Sequence, residues 1–228
     1  GRRDRADRDG DRNPARERRP LRRRPVLVAA LALTAVLLFV AVPLFGAGSL
    51  RGGELLPWPA DPGDFLAVYV SDWHEAAGVG TAQQPSPAQV VLAAHSLLAL
   101  GNDWLAPRLL LIGSLVLAWA LAVRAGRIVT ARPAPRIVGA TLYVVSPPLL
   151  AAVTHGRVGA LVAAWALPAL AIAWDTLLRP HAPPGRTWMA TGGAALAGAV
   201  LVSFVPAAAV LIAAATVAAL GFLAAVRD

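Results

Sequence analysis

The sequence predicts an all-α, polytopic transmembrane protein with about six spans, a disordered N-terminal tail and a long outer loop carrying membrane-lying helices. Three observations carry that expectation. Of the 228 residues, 57% are hydrophobic and 15% charged, against about 45–50% apolar and about 25% charged in an average soluble domain. The charge is also segregated: residues 1–25 hold eleven of the 21 Arg and five of the 13 acids, leaving ten Arg and eight acids for the other 203 residues. Those 203 residues contain uncharged runs of the length a hydrocarbon slab of about 30 Å demands, roughly 20 residues for one helix. The net charge of +8 thus divides into +6 for the tail and +2 for the rest. Cys is absent, which excludes disulfides, thiolate metal sites and cysteine nucleophiles.

Residues 1–25 mix Arg and Asp with Pro and Gly and hold one large aliphatic residue, Leu21, so they have nothing to bury and read as a disordered, Arg-rich cytoplasmic linker. The transmembrane domain is expected over 26–228. Val26 to Leu50 is 25 residues without a charge, and the first span is set at 26–46. A cleaved signal peptide is the competing reading, but its apolar region runs to about 7–15 residues and this one is longer. Further spans are expected near 106–123, 137–153 and 158–178. The 40 uncharged residues from Thr187 to Val226 divide into spans near 188–204 and 206–226, with a turn at residues 203–206. Pro87–Gly101 is about 15 residues, short for a crossing, and reads as a re-entrant or interfacial helix at 87–101 that begins at Ser86 and Pro87.

Arginine placement sets the topology, because short cytoplasmic loops carry the excess of basic residues. With the tail inside and 87–101 not crossing, Arg124, Arg127, Arg132, Arg136, Arg179, Arg186 and Arg227 all fall inside. Only Arg51, Arg108 and Arg157 remain outside. If 87–101 crosses instead, those seven move out. The first arrangement leaves an outer loop at 47–105 with a net charge of −5 and Trp58, Trp73, Trp104 and Tyr69. Aromatic residues at that density suit the headgroup level.

Two blocks carry a resemblance. The stretch YVSDWHEAAGVGT at 69–81, followed by Pro85 and Pro87 and a short apolar helix, resembles the first outer loop in the membrane module of actinobacterial-type family 2 glycosyltransferases. LYVVSPPL at 142–149, HGRVG at 155–159 and ALP at 166–168 are similar to a later run of the same module. The resemblance covers roughly residues 26–178. It implies a cell-envelope glycosyltransferase acting on lipid-linked or polyprenyl-phosphate sugars, in which an upstream cytoplasmic transferase domain precedes a basic linker and the spans. The layout also resembles the polytopic GT-C class, where an acidic residue of the first outer loop serves as base toward the acceptor hydroxyl. That role matches Asp72 and, less well, Glu75.

Taken alone, Asp72, Trp73, His74 and Glu75 put two carboxylates and an imidazole within four residues, a general base or part of a divalent-cation site. A solvated turn with Trp73 in the headgroups is the plainer alternative. Asp72, Glu75 and His74 are the candidate catalytic residues, and Arg157, His155 and Trp73 the candidate substrate contacts, with the Arg157 fork offered to a phosphate. A tight turn with Arg157 snorkelling to the surface is the alternative there. Asp175 reads as interfacial and His95 as a satisfied polar contact. Asp7, Asp9 and Asp11 match the Asp-x-Asp metal pattern of nucleotide-sugar transferases, but no hydrophobic strand precedes them, so that active site is not expected in this chain. The tail lacks interleaved aromatics, which disfavours nucleic acid and favours attraction to anionic lipid. The chain begins at Gly1 and ends directly after an apolar run, so a piece of a longer plasma-membrane protein is expected. The alternative function is a non-catalytic module that positions or translocates a lipid-linked glycan.

Overall fold

A computed structural model describes residues 24–46, 50, 55, 57–71, 74–76, 79–81, 86–179 and 183–227. Residues 1–23, most of the tail expected to be disordered, lie outside them. The described residues form nine helices and one small hairpin. α1 (Arg24–Gly46) is followed by α2 (Pro62–Val70), strands β1 (His74–Ala76) and β2 (Val79–Thr81), and α3 (Ala88–Leu98). Then come α4 (Leu105–Val129), α5 (Pro133–Val144), α6 (Pro147–Thr154), α7 (Val158–Leu177), α8 (Pro184–Phe204) and α9 (Ala208–Arg227).

α4, α7 and α8 are long and apolar enough to cross a membrane, and the bent α5–α6 pair makes up to four. Length and composition of these helices mark a membrane protein. Their exposed faces carry Val116, Leu117, Leu167 and Leu196, which water would penalise and lipid does not.

Local signals explain where the helices start. Asp61 Oδ1 accepts a 2.8 Å hydrogen bond from the Gly63 N–H, and Pro62 occupies the first turn of α2. Asn102 Oδ1 accepts from Trp104 and Leu105 N–H at the entrance to α4. At the other end of α3, Leu100 takes a left-handed conformation (φ 58°). Its N–H and that of Gly101 return to the carbonyls of Leu97 and Ser96 at 2.9 Å, a Schellman closure with leucine where glycine is favoured.

The span expected to be continuous over 137–153 is corrected: it is two helices meeting at 43°. Pro147 and Pro148 lack the N–H groups that would continue α5, and the residue before a proline is pushed out of helical conformation. Ser146 is accordingly extended (ψ 143°) and α6 starts afresh at Pro147. Among the membrane-lying helices expected in the 47–105 loop, α2 stops at Val70 and His74 begins a strand.

α7 is the centre of the bundle. Its Leu161 and Ala164 pack into a cluster with Leu111, Leu115 and Ala118 of α4, Val144 of α5 and Leu149, Ala152 and Val153 of α6. Val162, Ala166 and Leu170, on another face, meet Ala197 and Leu201 of α8 and Ala208 of α9. α1 joins the first cluster through Leu33. Where α7 passes the end of α8, a Cβ at Gly159 would lie 3.3 Å from Val205 Cγ2 and 3.5 Å from the Phe204 carbonyl, so the close approach there depends on glycine.

Pro168 lies inside α7 and has no N–H to give the carbonyl of Ala164, four residues back. The Tyr143 hydroxyl of α5 donates to that carbonyl at 3.0 Å, so a backbone acceptor in the apolar layer is satisfied from a neighbouring helix. Trp119 Nε1 of α4 donates to Thr141 Oγ1 of α5, which itself donates to the Ile137 carbonyl. Tyr143→Phe is expected to cost about 1 kcal/mol of stability. In a Pro168→Ala background, where residue 168 regains its N–H, the same change costs close to nothing, as unfolding titrations in detergent mixtures will measure.

Candidate functional site

Between α1 and α4 the described residues pack around one another. Trp58 is their pivot: its indole N–H donates to Ser96 Oγ at 3.3 Å. Its ring stands edge-on to Phe65 at 5.1 Å and to His95 at 6.0 Å. These contacts tie α2 to α3. His95 Nε2 lies 2.9 Å from the Ala106 carbonyl, where it donates and ties α3 to α4, so His95 is the satisfied polar contact expected.

Arg108 fastens the insert's base. The residue is 1% exposed, although its sequence position suggested only an outer-side cation. Its Nε donates to the Leu44 carbonyl of α1 at 2.9 Å and its Nη1 to the Trp104 carbonyl. The guanidinium lies 4.0 Å from the centre of the Trp104 ring, which in turn sits 5.9 Å from Phe45. Leu44 is among the last four residues of α1, whose carbonyls have no partner within the helix. A cation placed there satisfies an acceptor and complements the negative end of the helix dipole.

Of the candidate catalytic residues, Asp72 lies outside the described residues, as does Trp73 among the substrate contacts. His74 and Glu75 are on β1, which pairs antiparallel with β2 so that His74 faces Thr81 and Glu75 faces Gly80. Of the tract expected as a turn, His74 and Glu75 thus lie in a strand of a short hairpin, and the N–H of Ser71, ahead of it, caps α2 at the Ala67 carbonyl.

His155 and Arg157 share the turn between α6 and α7. Gly156 is left-handed (φ 61°). The N–H groups of Gly156 and Arg157 reach back to the carbonyls of Val153 and Ala152, closing α6 as a Schellman motif. His155 Nδ1 lies 2.8 Å from the Ala151 carbonyl and 3.1 Å from Thr154 Oγ1, so that nitrogen serves the helix end. Arg157 is exposed and precedes the first turn of α7.

The other end of the same three helices carries a second arrangement. A cavity of about 650 Å³ lies between the C-terminal turns of α4 and α7 and the start of α8, and Arg124, Arg127, Arg179 and Arg186 line it. In the sequence these residues act only as a topological signal. That they share one cavity follows from the packing of α4 and α8 on α7. Asp175, expected to be interfacial, is 27% exposed there and forms a 2.6 Å ion pair with Arg179 one turn on.

Among the described residues no group of three or more His, Asp or Glu comes together to hold a metal ion. No protein-family model, curated protein or solved structure matches the chain.

Removing the Arg108 guanidinium takes the side-chain donor from the Leu44 and Trp104 carbonyls and the cation from the Trp104 ring. Arg108→Met is expected to lower stability by about 3 kcal/mol, from two charge-assisted hydrogen bonds at about 1.5 kcal/mol or more each. Arg108→Lys recovers less than half of it, because a single ammonium does not reproduce the planar fork. Thermal unfolding in detergent micelles reads both.

Proposed function

We propose that this chain is the integral membrane part of a cell-envelope glycosyltransferase acting on lipid-linked, polyprenyl-phosphate sugars in the plasma membrane. In this reading it has six spans. α4, α7, α8 and the bent α5–α6 pair are joined by α1, of 23 residues, and α9, of 20, about 34 and 30 Å long at 1.5 Å per residue. The N-terminal tail is cytoplasmic and follows a transferase domain of the same protein. The observation that carries the reading is the folded insert from Trp58 to Leu98. Its helices α2 and α3 form a short aromatic platform that reaches the start of α4, and the hairpin bearing His74 and Glu75 lies between them in the chain. A loop serving only to connect two spans has no need of such a scaffold, whereas a base must be held in fixed geometry beside its acceptor.

In the proposed roles Asp72 takes the proton from the acceptor hydroxyl, with Glu75 and His74 in support. Arg157, with His155 and Trp73, contacts the phosphate and sugar of the lipid-linked substrate. The sequence resemblance of residues 69–81 and 142–168 supports the same assignment.

A general base contributes about 10²- to 10⁴-fold to rate. Asp72→Asn in the full-length protein is therefore expected to lower glycosyl transfer at least a hundredfold at unchanged expression, measured with a polyprenyl-phosphate sugar in membranes. Full activity in that variant overturns the catalytic role and favours a module that only positions or translocates the glycan. Orientation is tested separately, on the Cys-free background. In intact cells an impermeant thiol reagent is expected to label Asp103→Cys and not Ala131→Cys, two exposed positions at opposite ends of α4.

A further inference from the structure

The cavity between α4, α7 and α8 lies at the far end of the bundle from the proposed catalytic loop, about 30 Å away along the 20 residues of α7. Its wall divides by chemistry. Four arginines stand at the rim: Arg124 and Arg127 from α4, Arg179 from the end of α7 and Arg186 from the first turn of α8. One carboxylate, Asp175, answers them, and it is held by Arg179. Arg124, Arg127 and Arg186 have no carboxylate partner among the described residues, so the rim carries a net charge of +3 with three guanidinium forks available.

The rest of the lining is apolar and small. Half-buried Ala169 and buried Ala173 of α7 form a floor, exposed Gly193 of α8 borders it, and Ile128 and Met189 are 46% and 72% exposed. Among the described residues no Trp, Tyr or Phe lines the cavity, so a nucleotide would find no ring there on which to stack its base. A phosphate at the rim with an aliphatic tail running over the floor satisfies both halves at once: guanidinium forks match phosphate oxygens in pairs, and the tail stays in hydrocarbon.

We propose that this cavity is a binding site for the phosphate headgroup of an anionic lipid, with one of its chains lying in the groove between α4 and α8. The site is separate from the proposed catalytic loop and requires membrane insertion but not glycosyl transfer. Loss of one reading therefore leaves the other standing.

The test uses the whole chain purified in non-ionic detergent and titrated with phosphatidylglycerol, phosphatidylcholine or glycerol 3-phosphate, with the thermal unfolding midpoint as readout. Phosphatidylglycerol is expected to raise the midpoint saturably and the other two to leave it unchanged. An arginine near an anionic lipid surface contributes about fivefold. The triple variant Arg124→Gln, Arg127→Gln, Arg186→Gln is thus expected to weaken phosphatidylglycerol binding by roughly a hundredfold. Arg132→Gln, outside the cavity, leaves it unaltered. Gly193→Leu fills the groove beside the floor independently of charge, since Gly193 is exposed and a Cβ there meets nothing within 4 Å. It is expected to keep the fold and weaken lipid binding. Equal stabilisation by phosphatidylcholine overturns the headgroup assignment, and equal competition by glycerol 3-phosphate makes this a soluble-phosphate site. Unchanged phosphatidylglycerol binding in both the triple variant and Gly193→Leu removes the cavity from consideration.

Discussion

Helices in lipid gain nothing from burying leucine against leucine, because the tails around them are equally apolar, so close packing and internal polar satisfaction must hold the bundle together. Here both demands fall on α7. Its alanines at 164, 166 and 173 are buried against its neighbours, and Gly159 admits the end of α8. The same helix contains Pro168, which opens a carbonyl at Ala164, and the fold answers with Tyr143 from α5. That hydrogen bond places α5, and through it the bent α5–α6 pair, relative to the centre. Because α4 and α8 take different faces of α7, the groove between them lies over α7.

The second organising feature is electrostatic. Arg108 is buried near the start of α4, where it spans to the last turn of α1 and stacks on Trp104. A guanidinium in that setting is tolerable only because carbonyl oxygens replace its water. Phe45 of α1 lies against Trp104, and His95 of α3 bonds the Ala106 carbonyl, so the start of α4 meets both α1 and α3. The described helices α2 and α3 are thereby tied to the start of α4.

Much of the fold is legible in the residues. Ser86 with Pro87 announces a helix that begins within two positions of where it is read, because capping is a local interaction that side chain and backbone settle between themselves. The run at 203–206 separates α8 from α9 as its Pro206 suggests. The double proline at 147–148 is also visible. Its effect on a span was not, since hydropathy averages over a break that leaves composition unchanged. The candidate site was legible only as types: carboxylates and an imidazole at 72–75, a glycine-arginine turn at 155–157. Pairing of β1 with β2 depends on hydrogen bonds between residues whose identities, His, Glu and Ala against Val, Gly and Thr, carry almost no strand signal.

Composition and charge placement determined, without any coordinates, that this chain is apolar helices bounded by arginines, because the cost of a charge in hydrocarbon is a property of the residue itself. Arg108, Tyr143 and the quartet at 124, 127, 179 and 186 are different. In the sequence one is an outer cation, one a hydroxyl in an apolar run, the rest a count of positive charge. Only tertiary structure makes them a staple, the substitute for a missing N–H and the rim of a cavity. The physical reason is that each acts on a partner far along the chain or on another helix. Which partner that is depends on how α4, α5 and α8 pack around α7.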